Sequence, residues 1–466
     1  MDYLKNYNYL MDTMDVKNED NNKKLTHNVP KEAALFPFKN NDTKPLYKNG
    51  LYNIFGEFLR YLLDKKIKNE FSLDNLIDLI MDDIKIEDGA SEYLNKLLNE
   101  YIFNEKDELK LLHPYLYLYT QLSPGQKSGE KDVARFLRDI FCRDNQSLID
   151  FFKSKEYDNN IIIELILRNA PPLDDFHEEQ KFSSKLNYVN HLFNRDIEFA
   201  IKHEKFFLEN MDNIFAFYYF FYITQLILKL PKRQNFDETV EELFYLLDWE
   251  SGVKNRKTEY GGYTHLKDLC LSTAPRVNLI YQLNLLLGTE YKLENELFDF
   301  FNSLNSENQQ NFLYYLKQWI ITYRTVRGFE EIHSFDDLPN DYNQLVDILY
   351  NSLDDIDKGV KDRARKHTFE NVEVFAKKYF LKRRGPYGHV LNINKDMLLM
   401  LTALCVRDKK IKLNQLFIEY EKRGIFFDFS SKMEVVNFLT KRGLIDKKSD
   451  DEDAKYVKPV LRLSFK

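Results

Sequence analysis

The chain has 466 residues, with 67 Lys and Arg against 74 Asp and Glu, a formal net charge of −7. That balance excludes a protein coated in positive charge, and 44% hydrophobic residues exclude global disorder. Only 15 Gly and 12 Pro disfavour folds that need many tight turns, such as propellers and sandwiches, while 37 Phe and 30 Tyr supply rings for cores or for contacts between chains.

The first residues, Met1-Asp2-Tyr3-Leu4-Lys5, bring an early acid and no apolar run, unlike a secretory leader. Residues 15–30 are polar and aperiodic, so residues 1–45 are expected to be a flexible arm. It carries an apolar plug, Leu35-Phe36-Pro37-Phe38-Lys39, that docks on the body. Helical spacing follows at Leu51, Ile54, Phe55, Phe58, Leu59, Leu62 and Leu63, then at Leu73–Ile84 after Ser72, then at Tyr93–Ile102. Further helices are expected near 132–142, 159–168, 185–210, 213–229 and 238–248. The uncharged run Asn213–Leu228 is 16 residues, short of the roughly 20 that span a bilayer, and reads as a buried central helix. Pro275 is expected to open a helix and Gly288 to close it; 307–325 is amphipathic around Trp319. A long helical pattern runs from Tyr342 to Leu381 and stops at Gly385-Pro386.

After Gly385 the pattern changes. Met397–Val406 reads as a helix, Ile411–Leu413 as a brief strand, Asn414–Arg423 as a helix closed by Gly424, and Ser431–Arg442 as a second helix. Ser431 and Glu434 have capping-box spacing. Leu444–Asp446 and Tyr456–Val460 read as strands around a polar tip, 449–454. This order is that of a winged helix, a helix-turn-helix with a β-hairpin. The expected fold is therefore mainly α: a multi-helix body in two parts, 46–230 and 231–384, the second ending in a long basic helix, followed by a winged-helix-like domain, 385–466.

Catalytic motifs are thin. Ser123-Pro124-Gly125-Gln126-Lys127 lacks the first glycine of a phosphate loop and separates Gly125 from Lys127, so it reads as a loop between helices. The cluster Asp174-Asp175 with His177-Glu178-Glu179 suits a divalent cation for nuclease work, or the acidic first turn of a helix, the commoner case. Cys270, five residues after His265, has no third group to orient a base, and Cys142, Cys270 and Cys405 read as reduced core thiols. No catalytic residue, metal site or cofactor is expected.

Charge is more informative. Residues 361–448 carry 21 Lys or Arg and 10 Asp or Glu, a local +11 that leaves −18 elsewhere. Lys377, Lys378, Lys382, Arg383 and Arg384 form a cationic group suited to phosphates, although cations also offset a helix dipole. On the expected recognition helix, Lys432 and Lys441 suit phosphates and Asn437 a base edge. The tip Asp450-Asp451-Glu452-Asp453 is acidic, the wrong sign for a wing on phosphate and consistent with a domain that binds protein.

Several strings resemble the G component (DptG) of DNA phosphorothioation-dependent restriction systems: Arg384-Gly385-Pro386-Tyr387-Gly388, Leu391-Asn392, Met397-Leu398-Leu399, Glu421–Asp428, Lys447–Asp450 and Ala454–Val457. Upstream, Leu35–Lys39 and Gly261-Gly262-Tyr263 share the likeness. The resemblance implies a non-catalytic subunit in the bacterial cytoplasm. It would act beside DptF and DptH, which supply nucleotide hydrolysis and DNA processing, to restrict DNA lacking the sulfur mark. It carries over no catalytic residue. Two alternatives remain at this point: a metal-dependent nuclease subunit and a stand-alone winged-helix transcription regulator.

Overall fold

A computed structural model describes residues 2–19, 22–27, 29–30, 33, 35–38, 47, 50–67, 77–78, 80–82, 90–102, 114–123, 125, 127–143, 145–153, 161–170, 172–250, 254, 256–329, 334–447 and 455–461. In chain order its main elements are α1 (Tyr3–Thr13), β1 (Lys17–Glu19), β2 (Asn22–Lys24), α2 (Tyr52–Leu62), β3 (Lys65–Ile67), α3 (Ser91–Ile102), α4 (Lys127–Leu137), α5 (Gln146–Lys153), α6 (Ile161–Asn169), β4 (Leu173–Asp175), α7 (Asn187–Ile201) and α8 (Glu204–Lys229). Then follow β5 (Leu246–Leu247), α9 (Lys257–Tyr260), α10 (Tyr263–Leu287), α11 (Glu294–Ser303), α12 (Ser306–Arg327), α13 (Tyr342–Asp354), α14 (Asp362–Tyr379), β6 (Leu381–Arg383), β7 (His389–Ile393), α15 (Lys395–Val406), β8 (Ile411–Lys412), α16 (Leu413–Glu421), α17 (Phe429–Lys441), β9 (Ile445–Lys447) and β10 (Lys455–Val457). The protein is mostly helical, with short strands gathered toward its C-terminus.

The chain divides into two units, one of residues 46–184 and 190–218, the other of residues 1–45, 185–189 and 219–466. The division falls inside α8, between Tyr218 and Tyr219. In the first unit, Phe215 meets Phe55, Phe58 and Phe193, and Tyr218 donates to Asp196 at 2.6 Å. Arg60 is buried and fully used: it pairs with Glu57 at 2.6 Å and donates to the carbonyls of Leu118 and Thr120. In the second unit, Phe220 stacks on Phe380 with centroids 4.5 Å apart, and Gln225 accepts from the Tyr188 hydroxyl. The helix is long and apolar enough to span a membrane by length and composition, yet 94% of its apolar window is buried within the chain itself, the expected central helix.

The second unit is built around α10, which packs on α1, α13 and α14. Residues 3–13, expected as part of an arm, are instead helical because Tyr3, Tyr7 and Leu10 fall on one face and bury it, with Tyr7 bonded to Thr322 and Asn6 donating to the Leu286 carbonyl. The plug does dock: Phe36 and Phe38 are buried and stacked. Pro275 lies inside α10 rather than at its start, and Gly288 closes the helix in a left-handed conformation. Burial of nearly every side chain from Thr273 to Leu287 offsets the roughly 3 kcal/mol that an interior proline costs. The pattern from Tyr342 to Leu381 is two helices. Asp355 draws the Asp357 and Lys358 amides into a turn, and Gly359 follows where a Cβ would lie 2.3 Å from the Leu353 carbonyl. Residues 238–248 are not a helix. Leu243 to Leu247 are all buried, as a strand covered on both faces requires, and β5 pairs in parallel with β7, which pairs antiparallel with β6.

From Lys395 onward the elements keep the expected order. Strands β8, β10 and β9 form a sheet in that spatial order, all antiparallel. The capping box at Ser431 and Glu434 is not used: α17 starts at Phe429, and its cap is Asp428, which accepts from the Ser431 amide at 3.0 Å. The tip 449–454 lies outside the described residues except at its edge. Residues 385–466 and 231–384 share one unit, joined by the Phe244–Phe426 bridge and the β5–β7 pair.

Gly424 turns the chain between α16 and α17 with φ 71°, and a Cβ there would stand 2.5 Å from the Phe221 ring. Left-handed strain of about 1–2 kcal/mol adds to an overpacking cost of about 1–3 kcal/mol. Gly424→Ala is therefore expected to lower unfolding free energy by about 2–4 kcal/mol in a denaturant titration, whereas Gly443→Ala, which meets no atom within 4 Å, should lose only the backbone component.

Candidate nucleic-acid interface

The expected cationic group is split by the structure into cations with internal work and cations facing outward. Lys377, in the last turn of α14, pairs with Glu373 at 2.7 Å. Lys382 pairs with Asp248 and donates to its carbonyl. Arg384 donates to the carbonyls of Leu247 and Asp248 at 2.9 and 3.1 Å, closing the end of β5. Lys432 pairs with Glu421 at 2.9 Å and lies over the Phe417 ring. Lys378, Arg383, Asn437 and Lys441 are exposed, and the Asn437 amide makes only a long 3.4 Å contact to Glu434.

Helix α17 presents Phe429, Met433, Asn437 and Lys441 on one exposed face, at the spacing that puts side chains on one side of a helix. Its opposite side is held by a segment some 180 residues upstream. Arg256 forks onto Asp428 and also reaches Ser431, while Glu250 accepts from Ser431 at 2.8 Å. The Trp249 indole donates to Glu434 at 3.2 Å and packs on Phe438. Residues 246–256 thus set the orientation of α17. Sequence reading missed them because neither motif nor local spacing joins Trp249 to Glu434.

A buried ion pair fixes the turn before α17. The Arg423 guanidinium has no solvent exposure and meets Glu419 at 3.1 Å, donating also to its carbonyl. Burial alone would raise the Glu419 pKa, but hydrogen bonds and charge from Lys422 and Arg423 reverse that and hold it at about 2.

The acidic cluster is dispersed. Leu173–Asp175 is a strand paired with β3, not the first turn of a helix, because cross-strand Lys65 pairs with Asp175. His177 faces Asp64, and Glu178 is bound by Arg135. Among the described residues no three His, Cys, Asp or Glu groups converge as a metal site would require. All three cysteines are buried and free, and burial pushes the Cys142 and Cys270 thiols up. His265 is exposed while Cys270 is not, so the two do not form a nucleophile and base. Of the phosphate-loop-like stretch, Pro124 and Gln126 lie outside the described residues, and Lys127 opens α4. No family model and no curated protein matches the chain.

The Glu419 shift makes a signed prediction. A carboxylate whose pKa falls on folding contributes stability above its unfolded value, about 4.3, and loses it as pH drops through the folded value. Wild-type unfolding free energy should fall across that acid window, and Glu419→Gln should flatten this limb. Arg423→Ala should cost about 3–5 kcal/mol at neutral pH, because it leaves a half of a buried pair unmatched.

Proposed function

We propose that residues 385–466 are a winged-helix module and that the protein is a non-catalytic subunit of a DNA restriction complex in the bacterial cytoplasm. It scaffolds the DptF and DptH subunits and contacts DNA through its basic C-terminal region. What carries this reading is the order helix, strand, helix, helix, strand, strand from Lys395 to Val457. Its three strands lie first, third, second across the sheet, the connectivity of a helix-turn-helix with one wing. The resemblance of the C-terminal strings to DptG supplies the restriction context. Exposed Lys378, Arg383 and Lys441 supply cations for phosphates, and exposed Asn437 an amide for a base edge.

The nuclease reading is weaker because the carboxylates it needs are held by Lys65 and Arg135. A protein-docking role for α17 has a specific observation in its favour: Phe429 is 79% and Met433 48% exposed on the same face as Asn437. One variant set separates these readings. Lys378→Ala/Arg383→Ala/Lys441→Ala should weaken duplex DNA binding for every sequence. It should also reduce the log–log salt slope by about 0.9 for each lost phosphate contact. Phe429→Ala/Met433→Ala should leave DNA binding intact and release a partner subunit if α17 docks protein. An unchanged salt slope in the triple-cation variant would sink the DNA-contact reading. Asn437→Ala should change sequence preference only if the protein is a regulator reading a defined site.

A further inference from the structure

A cavity of about 460 Å³ lies within the second unit, beneath the segment that links α1 to the body. Its floor is apolar or neutral: Leu25, Phe36, Phe38, Val277 and Val360 are buried there. Its rim is cationic, with Lys23, Lys24, Arg327, Lys361 and Arg363, and no Asp or Glu is among the lining residues. Lys24 pairs with Asp15, the one carboxylate partner that any of these five has among the described residues. Arg327 donates to the carbonyls of Lys358 and Gly359, which fixes the guanidinium without neutralising it.

Two further features point to a ligand. Lys361 is the N-cap of α14, an 18-residue helix whose start has no side-chain cap, so unbonded amides and the helix dipole favour an anion there. Asn278, 1% exposed, lines the cavity; its Nδ2 donates to the Ala274 carbonyl at 2.9 Å and its Oδ1 has no partner. The amide orientation is set by that bond, because only a nitrogen can donate to a carbonyl, so Oδ1 is left as a buried acceptor awaiting a donor. An unpaired buried acceptor costs about 1–3 kcal/mol, which a ligand N–H would recover. His27, bonded to the Tyr323 hydroxyl at 2.9 Å, is kept neutral: burial first, then Arg327 and Lys361, pull its pKa down to about 3. The cavity therefore gathers fixed positive charge with nothing inside to balance it.

We infer that this cavity binds a nucleotide, with its phosphate at the Lys361–Arg363 rim and a base whose exocyclic amine donates to Asn278 Oδ1. The volume falls in the range of small-ligand sites, about 300–1,000 Å³. The stacked rings of Phe36 and Phe38, with centroids 5.4 Å apart, offer an aromatic wall for the base. Adenine, guanine and cytosine carry the amine; uracil does not.

The test is calorimetric titration of the purified full-length protein with ADP, UDP, inorganic phosphate and a short 5′-phosphorylated oligonucleotide. Saturable binding of one ADP per chain is expected. Lys361→Ala/Arg363→Ala, both exposed positions, should weaken it at least tenfold with an unchanged melting temperature. Asn278→Ala should narrow the preference for ADP over UDP while leaving UDP affinity unchanged. Absence of saturable ADP binding at millimolar concentration would overturn the inference, as would equal affinity in the double variant. Phosphate binding as tightly as ADP would reduce the site to a general anion patch and overturn it too. An oligonucleotide binding more tightly than ADP would replace the nucleotide with a strand end. If Asn278→Ala does not fold, the double variant alone decides.

Discussion

Burial of the aromatic run in α8 is the constraint on which the rest depends. From Ile214 to Leu228 every side chain is buried, a load no amphipathic surface helix carries. Each aromatic ring removes roughly 150–250 Å² from water, so both halves of the helix must be enclosed by surrounding elements. Phe215 and Tyr218 anchor the core of one unit; Tyr219, Phe220 and Phe221 anchor the other. The polar groups in the same stretch are all answered: Thr224 bonds back to Phe220, Gln225 joins Tyr188 to the Glu241 backbone, and buried Lys229 is met by Asp237 and Glu241. An apolar helix with paired polar atoms is a core element, and that pairing is what a membrane span would not need.

A second theme is that positive charge in the C-terminal region is partly structural. Arg384 and Lys382 fasten the end of β5, Arg256 and Glu250 fasten the start of α17, and Arg423 fastens the turn before it. Each such cation sits where a strand end or helix cap leaves carbonyls or a carboxylate unsatisfied, which explains why a basic region need not be an exposed basic surface. The charge left over faces outward at Lys378, Arg383 and Lys441, and around the cavity at Lys23, Lys361 and Arg363. The two locations have different chemistry. The first group lies on open surface that suits a polyanion, and the second rims an enclosed apolar floor that suits a small molecule.

What the sequence by itself determined was whatever local periodicity encodes. The helices at 52–62, 306–327 and 395–406, the short strands near the C-terminus and their order, the docked Phe36 and Phe38, and the buried thiols were legible because an apolar stripe or a left-handed glycine is a local property. Tertiary structure decided the rest. Leu243–Leu247 is a strand only because β7 is there to pair with it; as a bare apolar run it reads equally well as helix. Pro275 sits in mid-helix because burial on all sides outweighs its missing donor. Residues 3–13 form a helix because α10 and α12 cover one face. Which lysines are spent on carboxylates, and which remain for a ligand, depends on partners such as Asp248 for Lys382, 134 residues away. No spacing rule spans that distance, since charge pairing is set by where the folded chain brings two groups together.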